Sequence, residues 1–295
     1  MASIIKTLQD KNLISPPPWL HSNSHYEVIM GSFAYGVSSD ASDTDVYGFA
    51  IPPVGLIFPH KDGYLSGFDN NIPKFELYTQ HHIKFSEHKE YDISIYNIVK
   101  YFRLCADCNP NMIDSLFVPS RCVLHMSRIG EMVRQNRKLF LSKKARHSFI
   151  GYAYSQRSQI SNKKFTKNQK RLDDIEKVGY STKFAYHLVR LMNECEQILV
   201  EGDMDLERNR EQLKSIRRGE WTLEQIDEYF NSKEKQLEEL YVSSTAVPNL
   251  IRETDIKNLL MNCLEEHYGN LDNLVTQISK EKEVILQIKK LVGAI

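Results

Sequence analysis

The chain has 295 residues and carries 38 basic and 38 acidic side chains, so its formal net charge is zero and any nucleic-acid contact needs a local basic patch rather than a global field. Hydrophobic residues make up 41%, ample for the core of one large domain or two, and the five cysteines lack a disulfide-framework spacing, which points to a reducing compartment. No apolar run reaches the roughly 18–20 residues of a membrane span, and the opening segment lacks an h-region and a cleavage site, so the expectation is a cytoplasmic protein with no membrane partner.

In chain order, HYEVIMGS (25–32) reads as a strand feeding a Gly-Ser turn. DVYGFAIPP (45–53) reads as a second strand that Pro52-Pro53 stops. FELYTQHHIKF (75–85) is a third segment, and EYDIS (90–94) a short strand before a helical pattern with apolar residues at 95, 98, 99, 102 and 105. Asn109-Pro110 ends that helix. Beyond about residue 110 the chain turns helical. Ser127 caps a segment to about 141, and a second helix spans about 144–160. Residues 161–180 read as a lysine-rich loop. Ser181 opens a long helix to about 200, with Gly202 past its end. Thr222 and Gln225 suit a capping box, and further helices follow at 254–267, ended by Gly269, and 271–291. The last has an apolar seam through 271–292 that must dock on the domain or on a second copy of the chain. The fold class expected is α+β, with a mixed-sheet domain over 1–125 and a helical domain over 126–295.

The chemistry concentrates in GSFAYGVSSDASDTDVYGF (31–49). In a strand, residues i and i+2 share a face, so Asp43 and Asp45 project together. Two such carboxylates stay ionised when solvated or bridged by a hard divalent cation. An EF-hand loop is excluded, because position 12 counted from Asp43 is Val54 rather than a bidentate Glu. A plain polar turn is the remaining alternative. Against it stands Gly31-Ser32, where backbone N–H groups and a hydroxyl can cradle a phosphate.

Gly31-Ser32, ten intervening residues and Asp43-Thr44-Asp45, with Tyr35-Gly36 and Ser42 inside the motif, resemble the signature of the DNA polymerase β-like nucleotidyltransferase superfamily. Within it, the chain is similar to the RNA-ligase-associated, or predicted nucleotidyltransferase, branch. The likeness continues in softer blocks at 91–117, 150–156, 183–191, 199–206 and 213–221, and so covers about residues 25–265. One departure is Phe33, where the branch often places a basic residue. The resemblance implies a palm-like catalytic domain and a third acid on a neighbouring strand. Asp92 is the best match, with Glu90 and Glu76 as rivals. It also implies two Mg²⁺ ions, replaceable by Mn²⁺, held about 3.5–4 Å apart by Asp43, Asp45 and Asp92.

For the triphosphate, Lys183, His187 and Arg190 fall at i, i+4 and i+7 on one helix face, beside the alternative of a solvated stripe. Arg217 and Arg218 form a second basic candidate, and Tyr152 and Gln156 are candidates for a base pocket or for core packing. The lysines of 161–180, with Phe165 and Tyr180, offer a nucleic-acid contact or merely a solvated loop. Cys105-x-x-Cys108 and Cys122-x-x-His125 have zinc-like spacing, but Cys105 shares an apolar stripe with Tyr101 and Phe102, which favours core packing. The functional expectation is transfer of a nucleoside monophosphate from an NTP, ATP or CTP, to an acceptor hydroxyl with release of pyrophosphate. An RNA or tRNA 3′ end is the acceptor favoured by the branch. Protein nucleotidylylation and a non-catalytic nucleotide-binding module are the rivals.

Overall fold

A computed structural model describes residues 3–38, 44–87, 89–161, 175–271 and 288. Strands β1 (Ser24–Ile29), β2 (Thr44–Ala50), β3 (Leu77–Ser86), β4 (Lys89–Asn97) and β5 (Val123–Met126) form one mixed sheet in the order β3-β4-β2-β1-β5. The β2–β4 pair is parallel and the other pairings are antiparallel. Strand alternation divides the side chains of β2 and β4 between two cores. Val46, Ala50, Ile93 and Ile95 face a smaller cluster closed by Ile5 and Leu8 of α1 (Ile4–Asp10). Phe49, Tyr26 and Val28 face the larger core. Asp45 and Asp92 therefore point to the same side as that larger core, at the start of two parallel strands.

The helices are α2 (Leu20–Asn23), α3 (Val54–Ile57), α4 (Ile98–Ala106), α5 (Pro110–Phe117), α6 (Arg128–Gln135), α7 (Lys144–Gln159), α8 (Thr182–Glu201), α9 (Arg210–Arg217), α10 (Leu223–Ser243) and α11 (Glu253–Tyr268). The expected α+β class holds: a mixed sheet with its helices, then a helical region. The strand expected over 90–94 runs on to Asn97, and the helix begins only at Ile98. Asn97 makes that switch, because its Oδ1 accepts from Val99 N at 2.8 Å and its Nδ2 donates to the Phe75 carbonyl at 2.8 Å. Asn109-Pro110 both stops α4 and starts α5, since Asn109 Oδ1 accepts from Met112 N and Pro110 occupies the first turn. The capping box at Thr222 and Gln225 is formed, and Gly202 closes α8 in the left-handed region with φ +61°. Ser181 stands at the start of α8 without a side-chain capping bond.

Two polar clusters, the first buried and the second half-buried, tie the helices to the sheet and its turn. In the first, Arg190 of α8 lies between Asp114 of α5 and Glu194, one helical turn on. Its guanidinium stacks 4.2 Å from the Tyr35 ring, and the Tyr35 hydroxyl donates to Asp114 Oδ2 at 2.8 Å. All four side chains are buried. Burial pushes the Asp114 and Glu194 carboxyls above their usual range, against the pull of Arg190. In the second, His25 of β1 lies 2.8 Å from Ser127 Oγ and 3.0 Å from His267 Nδ1 on α11. Burial, then the charges of His267 and His125, hold His25 down to about 3.

Each cluster makes a stability prediction. Arg190→Ala leaves two buried carboxylates unopposed and should cost about 3–5 kcal/mol in urea unfolding, whereas Lys183→Ala, at an exposed position on the same helix, should stay within about 0.5 kcal/mol. The Arg190→Ala deficit should shrink as pH falls, because raised carboxyls favour the folded state when protonated. For His25 the sign is the reverse: the unfolded chain takes up its proton near pH 6.5 and the folded one only near 3. The stabilisation is thus complete above pH 6.5 and lost on acidification, about 2 kcal/mol between pH 7 and 5. His25→Gln should flatten that slope in pH-dependent denaturation.

Candidate active site

The turn after β1 is a short 3-10 segment, Gly31–Phe33. Gly31 has φ +68°, and a Cβ there would stand 2.4 Å from Asp45 Oδ2. Only glycine satisfies both the left-handed backbone and the packing of that carboxylate against the turn. The main chain locks the two together, because Met30 N donates to the Asp45 carbonyl at 2.8 Å. Ser32 is half-buried in the same turn, and its carbonyl accepts from Val37 N at 2.9 Å.

Asp45 is the register partner of Asp92 across the parallel β2–β4 pair. Their side chains emerge side by side on one face of the sheet. Asp43 lies outside the described residues. Asp92 Oδ1 accepts from the His82 backbone N–H at 2.7 Å, and Oδ2 is 3.4 Å from His81 Nδ1. Of the rival acids, Glu76 is exposed and bonded to Lys100 at 2.9 Å, while Glu90 meets His82 at 2.5 Å.

A cavity of about 120 Å³ opens over Asp45. Gly31, Tyr35, Asp45 and Tyr47 line it from the sheet side, and Asn111, His187 and Arg190 from the helices. Whole ligand pockets run to roughly 300–1,000 Å³, so this space holds only part of a ligand of that size. Burial, followed by Tyr96 and the Asp45 charge, raises the Tyr47 hydroxyl above its usual range at the cavity wall. Tyr186 is buried beneath Arg217, whose guanidinium lies 4.9 Å from the ring, and the Tyr186 hydroxyl feels both Arg217 and Asp45.

The three basic residues read from α8 thus take different positions. His187 and Arg190 reach the cavity, Lys183 is exposed, and Arg190 Nη1 is engaged by Asp114 and Glu194. Arg218 is exposed and paired with Glu220 at 2.5 Å. Gln156 is buried and Tyr152 packs against the larger core. Tyr180, expected on an exposed basic loop, is instead fully buried, with its hydroxyl donating to the Trp221 carbonyl at 2.7 Å; an aromatic ring with an apolar body and one satisfied polar tip belongs in the core. Residues 162–174, including Lys163, Lys164, Phe165, Lys167, Lys170 and Arg171, lie outside the described residues, as does the seam beyond Leu271 apart from Ile288. Cys105, Cys108 and Cys122 are buried in the larger core, and His125 lies 3.1 Å from the Ser24 carbonyl.

Tyr35 is read from the sequence only as part of the motif, and Tyr47, Asn111 and the acids Asp114 and Glu194 are not read there as site residues. Tyr47 was accessible by strand alternation, two residues beyond Asp45. Glu194, four residues beyond Arg190 on a helix, was accessible as an ion-pair spacing. Asn111 and Asp114 carried no local signal, because their place depends on how α5 packs.

No individually curated protein matches the chain. A family model described as the RNA repair pathway DNA polymerase beta family, RlaP, matches residues 20–277, a span that holds the Gly31 turn, Asp45, Asp92 and the helices closing the cavity. The chain belongs to this family, a branch of the DNA polymerase β-like nucleotidyltransferases.

Proposed function

We propose that the protein transfers a nucleoside monophosphate from an NTP to the hydroxyl of an RNA acceptor, with Mg²⁺ as cofactor. The observation that supports this best is the in-register pairing of Asp45 with Asp92 beside the glycine turn. Two carboxylates on adjacent strands repel, and a divalent cation offsets that repulsion. Asp43, Asp45 and Asp92 would hold the ions, with Mn²⁺ able to substitute for Mg²⁺. When bound, they supply charge neutralisation on the phosphates and a lowered pKa for the attacking hydroxyl.

The protein's own groups do the remainder. Gly31 and Ser32 orient the β- and γ-phosphates through the turn. His187, Lys183 and Arg217 neutralise phosphate charge from α8 and α9. Arg190 contributes its field across the cavity while holding Tyr35, and hence the turn, against Asp114. The acceptor oxygen attacks the α-phosphorus, the bond from that phosphorus to the α–β bridging oxygen breaks, and pyrophosphate leaves. Asp92, the carboxylate farther from the phosphate turn, receives the acceptor proton. The rate gain comes from positioning and charge stabilisation. RNA as acceptor rests on the family description, and ATP or CTP is the expected donor.

Labelled NTPs incubated with RNA, tRNA and protein acceptors test this reading. Wild type should label RNA in Mg²⁺ or Mn²⁺ and not in EDTA. Asp45→Asn and Asp92→Asn should each lower the rate by at least about a hundredfold. Label confined to protein would replace RNA transfer with nucleotidylylation, and unchanged transfer by Asp45→Asn would remove the active-site assignment.

A further inference from the structure

Opposite Asp92, strand β3 carries one residue more than β4. Gln80 pairs with Ile93 and Ile83 with Tyr91, so His81 and His82 together face Asp92. This is a β-bulge, a device that re-aims side chains at sheet edges and beside active sites. His82 adopts φ +57°, an uncommon conformation for a residue other than glycine. It directs the His82 backbone N–H at Asp92 Oδ1, 2.7 Å away, and the ring Nδ1 at Glu90 Oε1, 2.5 Å away. One ligand atom each from His82, Glu90 and Asp92 lie within 4.8 Å of one another, the one such His, Cys or acid grouping among the described residues. The Glu90 and Asp92 side chains are only 28% and 24% exposed, while that of His82 is 81% exposed, so the grouping is walled by the sheet and open at its edge.

We infer that His82, Glu90 and Asp92 form an additional metal site selective for a first-row transition ion, Zn²⁺ in particular, over Mg²⁺. Imidazole nitrogen suits Zn²⁺, whereas Mg²⁺ prefers oxygen ligands and gives up its waters reluctantly. Three protein ligands with an open face leave room for a water or a substrate oxygen. The sheet order sets its place: β3 is the edge strand, and β2 separates β4 from the β1 turn. An ion here lies on the far side of Asp92 from the phosphate turn, where it would hold an oxygen of the acceptor. The site shares Asp92 with the proposed active site and rests on that reading only for this role.

Calorimetric titration of the full chain with Zn²⁺ in excess Mg²⁺, without nucleotide, tests the site. Wild type and Asp45→Asn should bind Zn²⁺ alike, because Asp45 is outside the ligand set. His82→Gly keeps a residue at ease with positive φ, and with it the N–H to Asp92, but removes the imidazole. It should weaken Zn²⁺ binding by about tenfold or more, as should Glu90→Gln, with unchanged circular dichroism. The inference is overturned if wild type takes up no Zn²⁺ in excess Mg²⁺, if His82→Gly binds as tightly as wild type, or if Asp45→Asn abolishes the binding. Labelled transfer is a separate readout: its absence in wild type would remove the proposed function while leaving Zn²⁺ binding intact.

Discussion

Everything in the candidate site depends on two carboxylates held side by side on adjacent parallel strands. Asp45 and Asp92 share one register position, and their common face is fixed because the residues next to them, Val46 and Ile93, are buried in the core on the other side of the sheet. A one-residue slip of either strand would bury a carboxylate and expose a core residue. The hydrophobic pattern of the strands therefore sets the geometry of the acids. The core of Ile5, Leu8, Val46, Ile93 and Ile95 is remote from the chemistry in sequence, yet it aims the site.

The second constraint is closeness. Asp45 packs against a backbone turn where no side chain fits, and the turn is held in two ways. Its main chain bonds to β2, and Tyr35 reaches down to the buried Arg190–Asp114–Glu194 cluster. A buried arginine between two acids is a poor source of net stability but a strict specifier of arrangement, because any rearrangement strands a charge in the core. Here it joins α5, α8 and the turn at one point. The helical part of the chain thus serves the candidate site both as a wall of the cavity and as a clamp on the Gly31 turn. The His25–His267 contact plays a comparable part on the other flank, fastening α11 to β1.

The sequence made much of this legible, unevenly. Gly31, the strand that carries Asp45, Asp92 as a strand acid, the long helix over 182–201 and the capping box at Thr222 all carry local signals, which is why they were readable. Strand β5, helix α5 and helix α9 were not, because each is short and takes its form from packing. The basic face of α8 shows the limit of periodicity. Spacing placed Lys183, His187 and Arg190 on one side of the helix, but it cannot say that one end of that side is solvent and the other a buried ion cluster. Likewise Tyr180 read as part of a polar loop because its neighbours are polar, although its own ring is in the core. The His81–His82 bulge is invisible without the register of β3 on β4.

Asp45 and Asp92 are proposed to join a nucleotide to the protein through divalent ions. Calorimetric binding of a non-hydrolysable NTP, with Mg²⁺ and again with EDTA, addresses this most directly. Binding should occur in Mg²⁺, be abolished by EDTA and be severely weakened by Asp45→Asn. Binding of equal strength in EDTA, unaffected by Asp45→Asn, would contradict the proposal and identify a metal-independent nucleotide-binding module instead.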